Sequence, residues 1–509
     1  MYSGVLALLL RSLRMDVRSR GAHLARLGLM VAIYLSIIQV QLTGAWVGAP
    51  GLSFFTSILW LNLTFVTLIG LSAFSSVITE EKEEDTLGLL QMAGVSPLAL
   101  LLGKVGGRLF QALALLVVQY PFARLSITLG GVGVEQVRAA YISLAAYVVM
   151  MAGLGVLFST ISRTSRAAAR LMVLALILYG LIPWACGMQV ARLAANGATS
   201  LFRPVLEVVS QVSLYIQLGQ ILSTGYQSPF MNVVVASNML LGVACFLLAW
   251  ALFAIMPQSQ YTESVVRELP TTNAGLLRWC RPGRPTFNPL VWKEFYFAVG
   301  GIPGLLVRTG FYIGLFALLY VVSAATGVDT KPSTAFAVFL MAHVAILPID
   351  ASLLVSRSMQ DEVRGQTIAS LVMLPQSVPS IVYAKLTGAM LGLIPGIFSL
   401  MIALVGSGLI GRVQSFEELI FLFIVPYLLL LPHLTAVIAL VARWGATPLA
   451  IGALYAIQTV ESMLLLPVVL IFQGAPTEMY LACLGLMNIA LCIACHFEVM
   501  RRFRKLAEK

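Results

Sequence analysis

Apolar runs of about twenty residues recur along this chain of 509 residues, and a run of that length crosses a hydrocarbon core of roughly 30 Å as a helix. Twelve can be read, at about 27–46, 53–77, 109–130, 139–161, 168–190, 232–256, 303–326, 333–355, 386–410, 418–441, 448–472 and 477–497. The chain is 59% hydrophobic and only 10% charged, with a mean hydropathy of +0.94, which excludes an ordinary soluble domain. The expected fold class is all-α: a polytopic membrane protein with about 12 transmembrane helices.

The charges test this partition independently. With both termini in the cytosol, the cytosolic segments and adjoining span ends hold 26 of the 32 lysines and arginines. Only Arg124, Arg138, Arg192, Arg203, Lys331 and Arg412 fall outside. Basic residues concentrate on the cytosolic side of membrane proteins, and the inverted topology would reverse the split. The N-terminus lacks the pattern of a secretory signal, because its apolar run is short and arginines follow it. Leu6, Leu9, Leu10, Leu13 and Val17 share one helical face and Arg11, Arg14 and Arg18 another. That pattern predicts an amphipathic helix in the cytosolic interface, with a basic topogenic flank as the alternative.

One polar stretch occurs twice. Ile78 to Leu90 (ITEEKEEDTLGLL) follows the second apolar run and leads through Ser96 to Lys104; Met359 to Leu371 (MQDEVRGQTIASL) leads through Ser377 to Lys385. At a constant offset of 281, Ser75, Glu81, Thr86, Leu90, Met92, Ser96, Lys104 and Gly107 meet Ser356, Glu362, Thr367, Leu371, Met373, Ser377, Lys385 and Gly388. A gap-free register across a polar loop and its flanks indicates duplication. Six spans per copy is an even number, so the two six-helix repeats are parallel. The organisation expected is a first unit at 1–256, a proline- and arginine-rich cytosolic linker at 257–287, and a second unit at 288–509. Asn238 and Cys245 match Asn488 and Cys495 at an offset of 250, so the first copy carries about 31 extra residues, assigned to helices within the outer loop 191–231. The loops are the least lipid-like part of each copy. Their carboxylates can pair with Lys or Arg of a soluble partner, and Leu87 and Leu90 offer an apolar ridge. The plainer alternative is a solvated acidic loop at a helix start.

The run Glu80-Glu81-Lys82-Glu83-Glu84-Asp85-Thr86-Leu87, followed by Leu90, Ser96-Pro97 and Gly103-Lys104, resembles the permease subunit of type-2 ABC transporters. The opening Asn288-Pro-Leu-Val-Trp-Lys-Glu294 is similar to the start of many such permeases. The resemblance covers both halves, with the loop as its distinctive motif. It implies a coupling helix in each unit that docks on a separate ABC ATPase subunit, two copies being expected, in an integral protein of a bacterial cytoplasmic membrane with both termini cytosolic. Carried over by position, the coupling residues are Glu80, Glu81, Glu84, Thr86, Leu87 and Leu90, then Asp361, Glu362, Thr367, Ile368 and Leu371. The family often has Gly immediately before the Thr, whereas Asp85 and Gln366 stand there.

The chain contains no G-x-x-x-x-G-K-[ST] motif; its one Gly-Lys, Gly103-Lys104, is followed by Val105. No cytosolic stretch is long enough for a nucleotide-binding domain. The chain is therefore expected to be no enzyme, with ATP hydrolysis left to another polypeptide, and the expected function is that of an ATP-driven permease, an exporter by preference. Besides the ATPase, the expected partner is the lipid bilayer, with no nucleic acid. No cofactor is expected: Cys492-Ile-Ala-Cys495-His496 has the spacing of c-type haem attachment but lies at a cytosolic span end. Polar groups inside spans are costly. Asn62 and His343, at one repeat position, and Asp350, His433 and Glu461 are candidate pathway residues, with interhelical hydrogen bonding as the alternative. Asp350, His433 and Glu461 also suit a proton-carrying role in a different class, an ion-coupled secondary transporter with 12 spans.

Overall fold

The computed structural model describes residues 20–43, 50–84, 86–92, 96–162, 165–195, 203–223, 226, 232–255, 288–326, 332–408, 425–441, 446–471 and 477–508. All regular elements among them are helices. The N-terminal amphipathic pattern, Asp85 and the linker 257–287 lie outside the described residues. The chain divides into two compact units, Met1–Val266 and Arg267–Lys509.

In the first unit α1 (Arg20–Thr43) and α2 (Pro50–Ser75) are followed by two short loop helices, α3 (Thr79–Glu83) and α4 (Leu87–Met92). Then come α5 (Pro97–Leu129), α6 (Val134–Ile161), α7 (Ser165–Ala195), the short α8 (Arg203–Ser210) and α9 (Leu214–Ile221), and α10 (Val233–Ile255). Helix α6 is the central one: it packs against α2, α5, α7 and α10 and is buried along most of its length. Small residues permit this. A Cβ on Gly153 would lie 2.1 Å from the Gly242 carbonyl oxygen, so α6 and α10 meet backbone to backbone, as glycine contacts between membrane helices allow.

The extra residues of the outer loop form α8 and α9. Leu214, Leu218 and Ile221 of α9 are fully buried. Tyr215 of α9 packs on Tyr147 and Tyr179, with ring centroids 6.3 and 6.0 Å away. Tyr147 and Tyr179 stand near the midpoints of α6 and α7, so α9 descends beside the middle of those helices and does not rest on their ends.

The second unit comprises α11 (Pro289–Glu294), a π turn (Phe295–Val299), α12 (Gly301–Thr326), α13 (Pro332–Gly365) and the loop helix α14 (Ile368–Val372). It continues with α15 (Val378–Met390), a 3-10 turn (Leu391–Leu393) and α16 (Ile394–Gly406), then α17 (Val425–Ala439), α18 (Ala446–Ile471) and α19 (Thr477–Ala507). Helix α11 lies against α15 because Gly388 leaves room for it: a Cβ there would be 2.5 Å from the Val291 carbonyl oxygen.

Among the described residues nine helices are long and apolar enough to cross a membrane. They coincide with nine of the twelve expected spans. The remaining three, at 27–46, 418–441 and 448–472, fall on the shorter apolar stretches Arg26–Gln41, Val425–Ala439 and Leu449–Glu461. Several long helices also outrun their expected cytosolic ends. Helix α5 begins at Pro97, not 109, and α13 runs on to Gly365, not 355. Both extensions carry charges that hydropathy assigns to loops, and Lys104, Arg108 and Glu362 among them are ion-paired, as described next.

Candidate functional site: the twin cytosolic loops

Each loop is built the same way, beginning from the backbone. In the second unit α13 ends with Gln366 in the left-handed region at φ 52°, and the Thr367 N–H donates to the Glu362 carbonyl at 3.1 Å. This six-to-one bond after a left-handed residue is the Schellman closure of a helix. A side chain costs about 1–2 kcal/mol in that conformation and glycine does not, so Gln366 carries a strain that a glycine before Thr367 would avoid. In the first unit the Thr86 N–H donates to the Glu81 carbonyl at 3.0 Å, the same six-to-one bond. Both loops then restart with a serine cap: Ser96 accepts from the Ala99 N–H at 3.3 Å and Ser377 from the Ser380 N–H at 3.4 Å. These caps satisfy N–H groups that a helix start leaves unpaired.

The closure brings side chains together. The Thr86 hydroxyl donates to Glu81 Oε2, while Glu81 Oε1 is ion-paired with Lys104 Nζ on α5. The Thr367 hydroxyl donates to Glu362 Oε2, while Glu362 Oε1 accepts from Lys385 Nζ on α15 at 2.9 Å. The repeat thus preserves a three-residue clamp, Glu–Thr–Lys, with the same division of labour between the carboxylate oxygens. The second clamp is larger and drier. Lys293 also reaches Glu362 Oε1 at 2.9 Å, and Glu294 of α11 pairs with Lys385. The Lys385 side chain is 1% exposed, against 27% for Lys104.

The first loop has a further set of contacts. Glu80 pairs with Arg108 at 2.6 Å, a contact the second unit lacks because Ala389 stands at the arginine position. Lys82 Nζ donates to the carbonyls of Ser159, Thr160 and Ser162 at 3.1, 2.6 and 2.9 Å, and Glu83 accepts the Ser165 N–H at 2.7 Å. A cation therefore closes the C-terminus of α6 and an anion the N-terminus of α7, the signs that complement the helix dipoles. Burial pushes the Lys82 ammonium down from its usual 10.5 to about 8.

The residues expected to couple to a partner thus divide. Glu80, Glu81, Thr86, Glu362 and Thr367 bond inside their own unit. Leu87, Ile368 and Leu371 are buried, the latter two in a cluster with Val499 and Phe503 of α19. Glu84 is exposed at the end of α3, Asp361 is half-buried on α13, and Leu90 lies on α4 with its side chain outside the described residues. The apolar side chains that do face outward are Leu89 and Met92 in one loop and Met373 and Leu374 in the other, Met92 being 78% and Met373 86% exposed. The lysines, Glu294 and the methionines are absent from the expected coupling set. Their signal was available for four positions, since Lys104 and Met92 recur at the repeat offset as Lys385 and Met373.

Within the spans, Asn62 and His343 are buried. His343 Nε2 lies 2.6 Å from Ser399 Oγ and its Nδ1 3.1 Å from the Phe339 carbonyl. Asp350 is ion-paired with Arg308 of α12 and accepts from the Tyr312 hydroxyl at 3.3 Å, and Tyr312 stacks on His343 at 5.1 Å. His433 and Glu461 do not join that group. His433 Nδ1 is 2.7 Å from the Leu429 carbonyl, and Glu461 accepts from Gln458, which also donates to Asn488. In the first unit Tyr179 donates to Asn238 Oδ1 at 3.0 Å. Both repeats therefore bond the sixth-span asparagine from the fifth span.

The apolar helices define an integral membrane protein. Residues 304–459 match the family model described as ABC-2 family transporter protein, so the second unit carries an ABC-2 family transporter domain. No curated protein matches the chain. Permeases of this family generally work with a separate ATPase subunit.

Proposed function

We propose that this chain is the membrane permease of an ATP-driven exporter in a bacterial cytoplasmic membrane, with both termini cytosolic and a separate ATPase docking on loops 78–104 and 359–385. One chain carries both loops and so engages two ATPase subunits. The observation that carries the reading is the family match at 304–459 together with the same loop architecture in each unit. Exposed Met92 and Met373 supply an apolar knob at one repeat position, and Met is an adaptable contact residue at such surfaces. ATP binding then biases the bundles only to the extent that the ATPases bind one arrangement more tightly than the other. Purification of the full chain from its native membranes tests this. Two ATPase subunits per chain are expected. Purified chain that hydrolyses ATP alone, or that brings no ATPase, contradicts it.

A further inference from the structure

The two clamps are placed where a partner's motion would have to pass. Glu81 lies on loop helix α3 and Lys104 on α5, 23 residues apart; Glu362 lies in the last turn of α13 and Lys385 on α15 at the same separation. Serine-capped turns at Ser96 and Ser377 intervene. Apart from the apolar packing of Leu87 in the first unit and of Ile368 and Leu371 in the second, the short helices α4 and α14 would without the clamp be joined to the following span by that turn alone, and a turn transmits little torque. The ion pair closes the path across it, and the threonine hydroxyl holds the carboxylate on its second oxygen.

We infer that Glu81–Thr86–Lys104 and Glu362–Thr367–Lys385 are positioning residues that make each cytosolic loop and the membrane helix after it move as one body. Resting on the proposed function, this makes the clamps the route by which ATPase motion reaches α5 and α15. Three observations converge on it. Duplication has been followed by divergence of most of the loop, yet these three residues remain at the constant offset of 281. The two copies make the same bonds from the same carboxylate oxygens. The carboxylates are buried in surroundings where an unpaired charge is costly, so the pair resists opening.

The units differ in what else is tied in. In the second, Lys385 also holds Glu294 of α11, and Gly388, one turn further along α15, lets α11 approach closely enough for that bond. The second clamp therefore joins three elements and the first joins two, so opening should be easier in the first.

The test is hydrogen exchange on the full chain with its co-purified ATPase, without nucleotide and with MgATP plus vanadate. Without nucleotide, Lys104→Met should raise exchange of the amides in 79–92 at least tenfold. Lys104→Arg should keep it within about threefold of the parent, and the exchanged pair Glu81→Lys with Lys104→Glu should recover most of the protection. With nucleotide, the parent should change exchange in both the loop and α5, whereas in Lys104→Met the change should stop at the loop. Unaltered exchange in 79–92, or a nucleotide response that reaches α5 undiminished in Lys104→Met, overturns the inference. Thr86→Val, which removes one hydroxyl and no charge, serves if the lysine variant does not fold, with a smaller rise expected and no rise contradicting. A parent complex with no nucleotide response overturns the ATP-driven reading and the clamps' role as its route; the nucleotide-free arm still decides whether they join loop to helix.

Discussion

Lys385→Met isolates the charge balance of the second clamp. Lys385 is 1% exposed and sits between Glu294 and Glu362, whose side chains are 7% and 6% exposed. Lys293, 2.9 Å from Glu362, remains as that carboxylate's partner, so Glu294 is the carboxylate left without its cation. Removing one partner of a buried pair costs about 3–5 kcal/mol. A ceiling follows from titration: neutralising a glutamate of ordinary pKa at pH 7 costs about 3.7 kcal/mol, beyond which it simply takes up a proton. The two figures agree, and the ceiling adds a pH signature. In the variant the folded-state pKa of Glu294 is raised above its unfolded value, so the folded form binds more protons across the interval between them. The defect is therefore largest near pH 7.5 and shrinks by about 1.4 kcal/mol per pH unit towards pH 5. At roughly 2–4 °C per kcal/mol for a unit of this size, the melting temperature at pH 7 should fall by about 7–15 °C. Thermal unfolding in detergent between pH 5 and 7.5 reads this. The same drop at every pH, or none, refutes the reasoning, and Lys104→Met, at a wetter pair, should lose about half as much or less.

Gln366→Gly should raise the melting temperature, because it relieves about 1 kcal/mol of left-handed strain at the end of α13; a lowered value contradicts the closure. Lys82 should titrate near pH 8. Between about 8 and 10.5 a free lysine holds a proton that docked Lys82 has released, so docking of the loop strengthens with rising pH across that window. Exchange protection of residues 78–83, corrected for the intrinsic pH effect, measures it, and protection that falls across the window is the opposing result. Met92→Asp with Met373→Asp places charge on exposed side chains and should reduce ATPase recovery at least tenfold while leaving insertion and melting temperature unchanged. Full recovery returns these loops to a solvated surface.

Much of the helical framework was legible because hydropathy and the distribution of basic residues act over twenty-residue lengths. The cytosolic helix ends were not. Lys104 and Arg108 look like loop residues until Glu81 and Glu80 are seen to neutralise them, and those partners lie 23 and 28 positions away. The repeat exposed Glu81, Thr86 and Lys104 as a retained set without revealing that they bond to one another. A carboxylate at a membrane surface reads equally well as a partner contact or an internal tie, and only the helix closure at Thr86 and Thr367 turns it inward. Glu294 was beyond reach from sequence, since its contact with Lys385 depends on the close approach at Gly388. Asp350 read as an intramembrane acid, yet Arg308, 42 positions earlier, holds it in an ion pair.

The central claim is that ATP, and not an ion gradient, moves this protein. Cysteine reactivity decides it most directly: Asn62→Cys and His343→Cys, each in the complex with its ATPase in sealed vesicles, are labelled with a membrane-impermeant maleimide while MgATP and a proton uncoupler are varied separately. Labelling that changes with MgATP and ignores the uncoupler is the predicted result; labelling that follows the proton gradient and ignores MgATP would contradict the account.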